Sequence, residues 1–296
     1  MPHRSGGMGY GLLGVLGFSL TLPATRLAVA SLDPLVVGLA RSLVAACLAA
    51  PVLFLTRQPV PKRGQAGSLA LVILGVIVGF PVLSAWAMQI VPASHGAVVL
   101  GLLPLATALA GTLRAHERPS AIFWGASAVG SLTVVGFALV TGGGSFHPAD
   151  AALLGAVVLA ALGYAEGGRL AREMGGWQVI CWALVFAAPL LILPVALRIW
   201  QQGLNATPSA WGGFAYVSIV SMFLAFFAWF HGLAVGGVAR VSQLQLLQPF
   251  FTLAAAALFL GEHFGWAALV CAAIVALSIF AGRCSKVVVS RQADAG

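Results

Sequence analysis

The sequence predicts an all-α membrane protein whose ten transmembrane helices form two inverted five-helix repeats. The chain has 296 residues, of which 60% are hydrophobic and 7% are charged, whereas about 25% of a soluble domain is charged. Its apolar residues fall into ten stretches of about 20 residues, the length needed to cross a bilayer. The second half of the chain also repeats features of the first half at a nearly constant separation. Together these three observations predict the fold class.

The ten predicted helices are separated by short loops with residues typical of helix boundaries. Asp33 suits a helix N-cap and Pro34 the first helical position after it, while Pro119, Pro148 and Pro208 precede later helices. No loop is large enough for a separate soluble domain. The predicted helices cover residues 9–29, 35–55, 67–90, 95–113, 121–140, 151–169, 177–198, 211–233, 240–260 and 265–282.

Lys and Arg are distributed unevenly between the two sides of the predicted helices. With the N-terminus in the cytoplasm, 12 of the 15 Lys and Arg residues lie on the cytoplasmic side, as the positive-inside rule requires. We therefore expect both termini to be cytoplasmic. The apolar run at residues 11–22 and the Ala-Val-Ala triplet at residues 28–30 also fit a cleaved signal peptide. Pro23 and Arg26 interrupt that pattern, which favours a first transmembrane helix.

The two halves of the chain resemble each other around two proline-containing helices. Pairs separated by 145 residues are Pro104 and Pro249, Thr107 and Thr252, Ala110 and Ala255, and Glu117 and Glu262. A glycine-rich connector at residues 141–145 separates five predicted helices from five, so we expect one repeat at residues 1–145 and a second at residues 146–296. Because each repeat crosses the membrane five times, an odd number, the second repeat has the opposite orientation in the membrane from the first. This arrangement is typical of secondary transporters.

The rest of the composition argues against several other classes of protein. The formal charge is +8, but Lys and Arg stand singly between apolar runs and form no basic face for nucleic acid. The four cysteines lie far apart, without a Cys-x-x-Cys motif or a histidine at metal spacing, so neither a disulfide framework nor a metal site is predicted. We expect a monomer that contacts the lipid bilayer and a small-molecule substrate, with no cofactor.

Three sets of residues give the sequence a resemblance to the drug/metabolite transporter superfamily, in particular to its EamA type. They are Pro92-Ala93-Ser94-His95-Gly96 through Pro104 to His116-Glu117-Arg118, Gly237-Val238-Ala239 through Pro249 to Gly261-Glu262-His263, and Pro23-Ala24-Thr25-Arg26-Leu27-Ala28 with Asp33-Pro34 and Arg41. The resemblance implies a ten-helix carrier of the bacterial inner membrane that exports small metabolites. Exporters of amino acids, including aromatic ones, are among the members. The sequence departs from many relatives in lacking a tryptophan near the start of its first helix.

Three glutamines lie in the predicted ninth helix, where an unpaired amide in hydrocarbon costs several kcal/mol. At about 100° per residue, Ser242, Gln245, Gln248 and Thr252 fall on one face, and Gln243 points elsewhere. The positions 145 residues before the serine and these two glutamines are apolar. That asymmetry favours a substrate-binding role for Ser242, Gln245 and Gln248. Hydrogen bonds between helices, worth about 0.6 kcal/mol on average, are the alternative.

Large aromatic side chains are expected to complete the substrate site. Trp86 and Tyr164 lie deep within their predicted helices, and Phe80 lies one helix face away from Trp86. Together they are expected to form an apolar wall opposite the glutamines. Such a pocket suits a zwitterionic or neutral amphipathic solute. Helix packing uses the same residue types and is the alternative role of each.

Ionisable residues at membrane depth are candidates for function, although most of those in this chain are expected to be structural. Glu166 precedes Arg169 by three residues, so the two can pair on one helix face; Glu166 is also a candidate proton carrier. Glu117 is expected to cap a helix or to form an interfacial ion pair. Arg41 has two candidate partners, Asp33 and a substrate carboxylate, and the pair with Asp33 is preferred.

The leading hypothesis is a secondary transporter, not an enzyme, that exports small organic metabolites, above all amino acids, by alternating access. Drugs and nucleobase-like metabolites are alternative solutes. An intramembrane hydrolase or lipid-modifying transferase would need catalytic groups brought together at membrane depth, where the sequence offers isolated histidines. A sensor or scaffold is disfavoured because no soluble output domain is predicted. No P-loop motif for ATP is present, and both facilitated exchange and proton antiport stay open.

Overall fold

The computed structural model is a bundle of helices and describes residues 3–91, 93–114, 117–142, 148–252, 266–284 and 287–289. Residues 248–252 are helical in addition to the named elements. The α-helices are α1 (His3–Phe18), α2 (Thr21–Val29), α3 (Pro34–Leu55), α4 (Ala66–Val72), α5 (Phe80–Ile90), α6 (Ala93–Leu100), α7 (Leu103–Arg114), α8 (Ala121–Gly142), α9 (Pro148–Met174), α10 (Gly176–Gln202), α11 (Pro208–Ala215), α12 (Ala225–Gly236), α13 (Val238–Ser242) and α14 (Trp266–Cys284).

Within the described residues, six helical segments are long and apolar enough to cross a membrane. They are Gly6–Val29, Pro34–Leu55, Arg63–Ile90, Pro148–Met174, Gly176–Gln202 and Pro208–Gly236. These segments confirm a helical, multi-pass membrane protein. The other four predicted spans fall on α6 with α7, on α8, on residues 238–252 and on α14, and the count of ten stays a prediction.

Two three-residue β-strands pair with each other, one between α7 and α8 and the other after α14. Strand β1 (Glu117–Pro119) pairs antiparallel with β2 (Val287–Val289), and Glu117 lies opposite Val289. The all-α prediction does not include this pair, because three residues are too few to show the alternating pattern of a strand.

The backbone departs from α-helical geometry at corresponding places in the third predicted helix of each half. Ile73–Gly79 and Tyr216–Leu224 are both π-helical. Val76 and Ser221, within these segments, are 145 residues apart, the same separation as the paired prolines. π-helical segments are rare and are frequently found at functional sites. The two halves therefore share an irregularity that points to a common functional region.

The fourth predicted helix of each half is also interrupted. In the first half, a turn at residues 101–102 separates α6 from α7. In the second half, Gln243–Leu247 forms a 3-10 helix between α13 and residues 248–252. Pro104 and Pro249 lie in the first turn after each interruption, because proline is tolerated there but disrupts the hydrogen bonding of a helix interior.

Helices from the two halves are interleaved in the bundle. Helix α1 packs against α12, α3 against α10, α7 against α9 and α8 against α14. The α1 and α12 backbones approach closely through glycines: a Cβ added to Gly7 would lie 2.5 Å from the backbone nitrogen of Gly236, and one added to Gly232 would lie 2.7 Å from that of Gly11. Small residues permit such close packing in membranes. Any space at the centre of the bundle is therefore bordered by both halves.

Candidate functional site

A narrow cavity lies between the two halves of the bundle. In this conformation it has room for water rather than for an organic solute. Its lining residues are Phe18, Thr21, Arg41, Val76, Phe80, Leu100, Leu103, Ala160, Tyr164, Ser221, Met222, Phe226 and Gln248. The wall is thus mostly apolar with a few polar groups, the usual character of a site for a small organic molecule.

A second narrow cavity adjoins the first one. Its lining residues are Ser19, Leu22, Leu100, Gln245, Gln248, Pro249 and Thr252. Leu100 and Gln248 border both spaces. We call the two together the central cavity, and Gln248 lies at their junction.

The irregular backbone segments meet at the central cavity. The two π-helical segments contribute Val76 and Ser221, and the 3-10 helix contributes Gln245. Leu100 precedes the break between α6 and α7, and Ser19 lies in the break between α1 and α2. Non-helical backbone at membrane depth is tolerated where protein or a water-filled space satisfies its polar groups. The concentration of such segments here marks this cavity as the candidate site.

Gln245 and Gln248, two of the predicted substrate-binding residues, both line the central cavity. Gln245 is 3% exposed, and neither its Oε1 nor its Nε2 has a hydrogen-bond partner among the described residues. Gln248 donates from Nε2 to the carbonyl oxygen of Phe18 at 3.3 Å. Thr252 Oγ1 donates to the carbonyl oxygens of Ser19 and Gln248. The free amide of Gln245 is therefore available to a solute.

Ser242 and Gln243 are placed away from the central cavity. Ser242 Oγ donates to the carbonyl oxygen of Ala239 at 2.8 Å, and Ser242 is not among the residues that line either space. Gln243 donates from Nε2 to Ser127 Oγ of α8 at 2.9 Å. Gln243 thus joins two helices, while Ser242 bonds within its own helix and also donates to the carbonyl oxygen of Pro104 in α7 at 3.4 Å.

The three predicted aromatic residues are divided between the cavity and the outer surface. Phe80 and Tyr164 line the first cavity, and Tyr164 lies parallel to Phe18 with ring centroids 6.4 Å apart. Trp86 is 41% exposed and is not part of the lining. Six residues separate it from Phe80, which turns its side chain by about 120° around the helix. The structure therefore does not bring Trp86 together with the other two.

Arg41 lines the first cavity as a buried cation. It is 1% exposed, and its Nε, Nη1 and Nη2 atoms have no hydrogen-bond partner among the described residues. The preferred sequence interpretation, a pair with Asp33, is wrong. Asp33 Oδ1 instead accepts hydrogen bonds from the backbone nitrogens of Leu35 at 2.9 Å and Val36 at 3.1 Å. It caps α3, so this carboxylate is occupied at the helix end.

Glu166 forms the centre of an ion-paired cluster at one end of the bundle. Its side chain is 1% exposed and pairs with Arg114 of α7 at 2.9 Å and with Arg169 of its own helix at 2.8 Å. Arg169 also donates to Ser68 Oγ of α4 at 2.6 Å and pairs with Glu173 at 2.9 Å. The expected Glu166–Arg169 pair is present and is extended to the first half of the chain.

Glu117 extends this cluster to the start of α13. Its Oε1 lies 2.7 Å from Arg172 Nη2 and accepts from the backbone nitrogen of Val238 at 2.8 Å. Oε2 accepts from the backbone nitrogen of Ala239 at 2.7 Å. Glu117 therefore combines the two expected roles, a helix cap and an ion pair. The matching Glu262 lies outside the described residues.

Sequence reasoning missed several residues of the central cavity. The hydroxyl groups of Thr21 and Ser221, which come from different halves of the chain, form a hydrogen bond of 2.8 Å. Phe18 and Phe226 pack edge to face with centroids 4.9 Å apart. A hydroxyl residue inside an apolar span was an available signal for Ser221. No comparable signal distinguishes Phe18 from the many other apolar residues.

Comparison with known proteins shows similarity along nearly the whole chain. The sequence profile of the EamA-like transporter family matches residues 5–142 and 147–281. An uncharacterized transporter, YdeK, of Bacillus subtilis (strain 168) is 46% identical over 291 residues, which cover 96% of this chain and 99% of that relative. A protein of known crystal structure has a TM-score of 0.78 and 17% identity, covering 95% of this chain and 99% of that one. At this identity the structural likeness shows the fold alone.

Proposed function

Because the chain belongs to the EamA-like transporter family, we propose that it exports a small organic metabolite, with amino acids as the leading class, across the bacterial cytoplasmic membrane. The observation that carries this proposal is the central cavity, which is lined by both halves of the chain. The two π-helical segments, the 3-10 helix and the breaks after α1 and α6 all border it. Proteins of a transporter family are generally not enzymes, and we do not propose an intramembrane hydrolase or transferase.

The proposed mechanism is alternating access between two inverted five-helix repeats, at residues 1–145 and 146–296, in a ten-helix protein with cytoplasmic termini. Val76 and Ser221 of the π-helical segments are 145 residues apart, as are Pro104 and Pro249, and this shared separation supports the organisation. In the proposed orientation the ion-paired cluster faces the cytoplasm. Since it joins Arg114 and Ser68 of the first half to Glu166 and Arg169 of the second half, it would close that side. Cytoplasmic opening then requires these pairs to separate.

Within the cavity, we propose that the glutamine amides and the aromatic rings divide the recognition of the solute. Gln245 and Gln248 supply hydrogen bonds at the junction of the two spaces. Phe80 and Tyr164 supply apolar surface. Ser242 and Trp86 have no place in this proposal, because their side chains lie outside the lining.

Counterflow in proteoliposomes tests this proposal. Labelled amino acids, nucleobases and drugs are offered to the wild type, to Gln245→Ala and to Gln248→Ala. We expect an amino acid to accumulate, and each variant to raise its KM about tenfold, since losing one hydrogen bond costs about 1.4 kcal/mol. The matched control is Gln202→Ala, because Gln202 is exposed at the end of α10.

The outcomes separate the parts of the proposal. If no amino acid accumulates with the wild type, the proposed solute class is wrong. If an amino acid accumulates and the KM of both variants equals that of Gln202→Ala, the glutamines are not part of the transport path, although the transporter assignment stands.

A further inference from the structure

Arg41 is a buried charge that the described part of the chain does not balance. Its three guanidinium nitrogens lack hydrogen-bond partners among the described residues, and Arg41 is 1% exposed on the wall of the first cavity. Burial of a charged group without a partner costs several kcal/mol. A position this costly is retained in a folded protein when a ligand or water in the adjoining space compensates for it.

Three of the polar residues that share the cavity wall with Arg41 have hydrogen bonds to groups other than Arg41. Thr21 and Ser221 hydrogen-bond each other at 2.8 Å. Gln248 Nε2 donates to the carbonyl oxygen of Phe18. Among the described residues, the lining contains no Asp or Glu. The wall is therefore positively charged, with five N–H donors concentrated on one side chain.

The acidic residues of the described chain lie in other places. Glu117, Glu166 and Glu173 belong to the ion-paired cluster, and Asp33 caps α3. Asp150 is in the first turn of α9. None of the five contributes to the lining around Arg41, so no carboxylate of the described residues faces this arginine, and the position is open to an anion of the solute.

The surroundings of Arg41 restrict the chemistry of that solute. Guanidinium groups bind carboxylates through two parallel hydrogen bonds. A single cation on the wall matches one carboxylate better than a doubly charged phosphate. The rings of Phe18, Tyr164 and Phe226 lie within 6.4 Å of one another, centroid to centroid, and offer an apolar surface in the same cavity.

We propose that Arg41 is the anion-binding residue of the transport site and that the solute is an organic monocarboxylate with an apolar or aromatic body. The carboxylate is held by the guanidinium, and the body lies against Phe18, Tyr164 and Phe226. This assignment rests on the proposed function, since it identifies the solute of the same cavity. It includes amino acids and excludes nucleobases and cationic drugs as preferred solutes.

Thermal unfolding of the purified protein with paired probes tests the assignment directly. Phenylacetate and L-phenylalanine each have an amide counterpart, phenylacetamide and L-phenylalaninamide, that lacks the carboxylate. At equal ionic strength we expect at least one carboxylate to raise the Tm of the wild type in a concentration-dependent way, while its amide does not. In Arg41→Gln this difference disappears. Arg198→Gln retains it, because Arg198 lies near the end of α10 and outside the cavity lining.

A Tm measurement without ligand distinguishes the loss of a binding site from misfolding of the variant. Replacing an uncompensated buried charge by an apolar side chain of similar length removes its desolvation cost. Arg41→Met without added carboxylate is therefore expected to unfold roughly 3 °C or more above the wild type. A lower Tm for Arg41→Met would show that Arg41 has a structural partner in the fold and would overturn the assignment.

Transport is measured separately, so that the two proposals fail independently. If amino acids show counterflow with an unchanged KM in Arg41→Gln, the carboxylate site is wrong and the transporter proposal stands. If carboxylates stabilise the wild type through Arg41 but none shows counterflow, the binding site stands and the proposed export is wrong. If neither carboxylate stabilises the wild type more than its amide, Arg41 is not a site for such solutes.

Discussion

Two regions of this protein bury charged side chains. In one region the buried charges are ion-paired, whereas in the other the buried charge has no partner among the described residues. At one end of the bundle, Glu166 and Glu117 are nearly inaccessible, yet each has an arginine partner within 2.9 Å. In the central cavity, Arg41 is equally inaccessible and has no partner among the described residues. Burial alone therefore does not identify a functional charge. The useful criterion is burial next to an open space without a partner.

The two regions also differ in what reaches their buried charges. Arg41 follows the start of α3 at Pro34 by seven residues, which corresponds to about 10 Å along the helix axis. Arg114 is the last residue of α7, and Glu117 lies beyond it in β1. Glu166 lies eight residues before the end of α9 at Met174, a similar distance from a helix end, but Arg114 and Arg169 reach its carboxylate. Arg41 faces the cavity instead.

The largest effect is expected from Glu117→Ala, which tests whether the paired region is structural. The change leaves Arg172 without its carboxylate and exposes two uncapped backbone N–H groups at the start of α13. We expect a loss of about 3 kcal/mol in the free energy of unfolding, measured by denaturant unfolding in micelles. Glu173→Ala is the control, because Glu173 is 45% exposed and its ion pair is worth at most about 1 kcal/mol. Equal losses in the two variants would contradict the structural role of Glu117.

A smaller effect is expected from Asp33→Asn, which tests whether Asp33 and Arg41 form an ion pair. Asparagine caps a helix about as well as aspartate, so we expect a loss below about 0.5 kcal/mol in the same unfolding assay. A true Asp33–Arg41 pair would instead lose about 3 to 5 kcal/mol, because a buried cation would be left behind. Asp33→Ala, which removes the cap, calibrates the assay with a loss of about 1 kcal/mol.

Much of the helical framework could be predicted from hydropathy and boundary residues. The span predicted at residues 35–55 is Pro34–Leu55 in the structure, because Asp33 and Pro34 act as the sequence indicates. The span predicted at residues 151–169 extends to Pro148–Met174. Its extra residues include Arg172, which hydropathy assigns to a loop but whose pair with Glu117 allows the helix to continue.

The polar helix face of Ser242, Gln245, Gln248 and Thr252 shows both the strength and the limit of predictions from helical periodicity. The prediction assumed about 100° per residue, whereas Gln243–Leu247 is a 3-10 helix in which residues three apart eclipse each other. Gln245 and Gln248 still line the same cavity, because both geometries place residues three apart on nearby faces. The 3-10 and π-helical segments themselves have no simple sequence pattern, so their convergence on the cavity emerges only in three dimensions.

Arg41 and Trp86 show why single site residues were harder to predict than spans. The sequence offers Asp33 as a nearby partner for Arg41, and only the cap geometry of Asp33 shows that this carboxylate is in use. Trp86 lies deep along its helix, but depth does not specify the direction in which a side chain points. In both cases the missing information is the orientation of one helix relative to its neighbours.

Protection of a thiol at the junction of the two spaces tests most directly whether the solute occupies the central cavity. Gln248→Cys is made in a chain whose native cysteines, Cys47, Cys181, Cys271 and Cys284, are replaced by serine, and Gln202→Cys in the same background is the control. The reaction rate with a small thiol reagent is measured in proteoliposomes with and without the amino acid that shows counterflow. We predict that the solute slows the reaction at position 248 at least severalfold and leaves that at position 202 unchanged. Equal rates at position 248 with and without a saturating solute would contradict transport through this cavity.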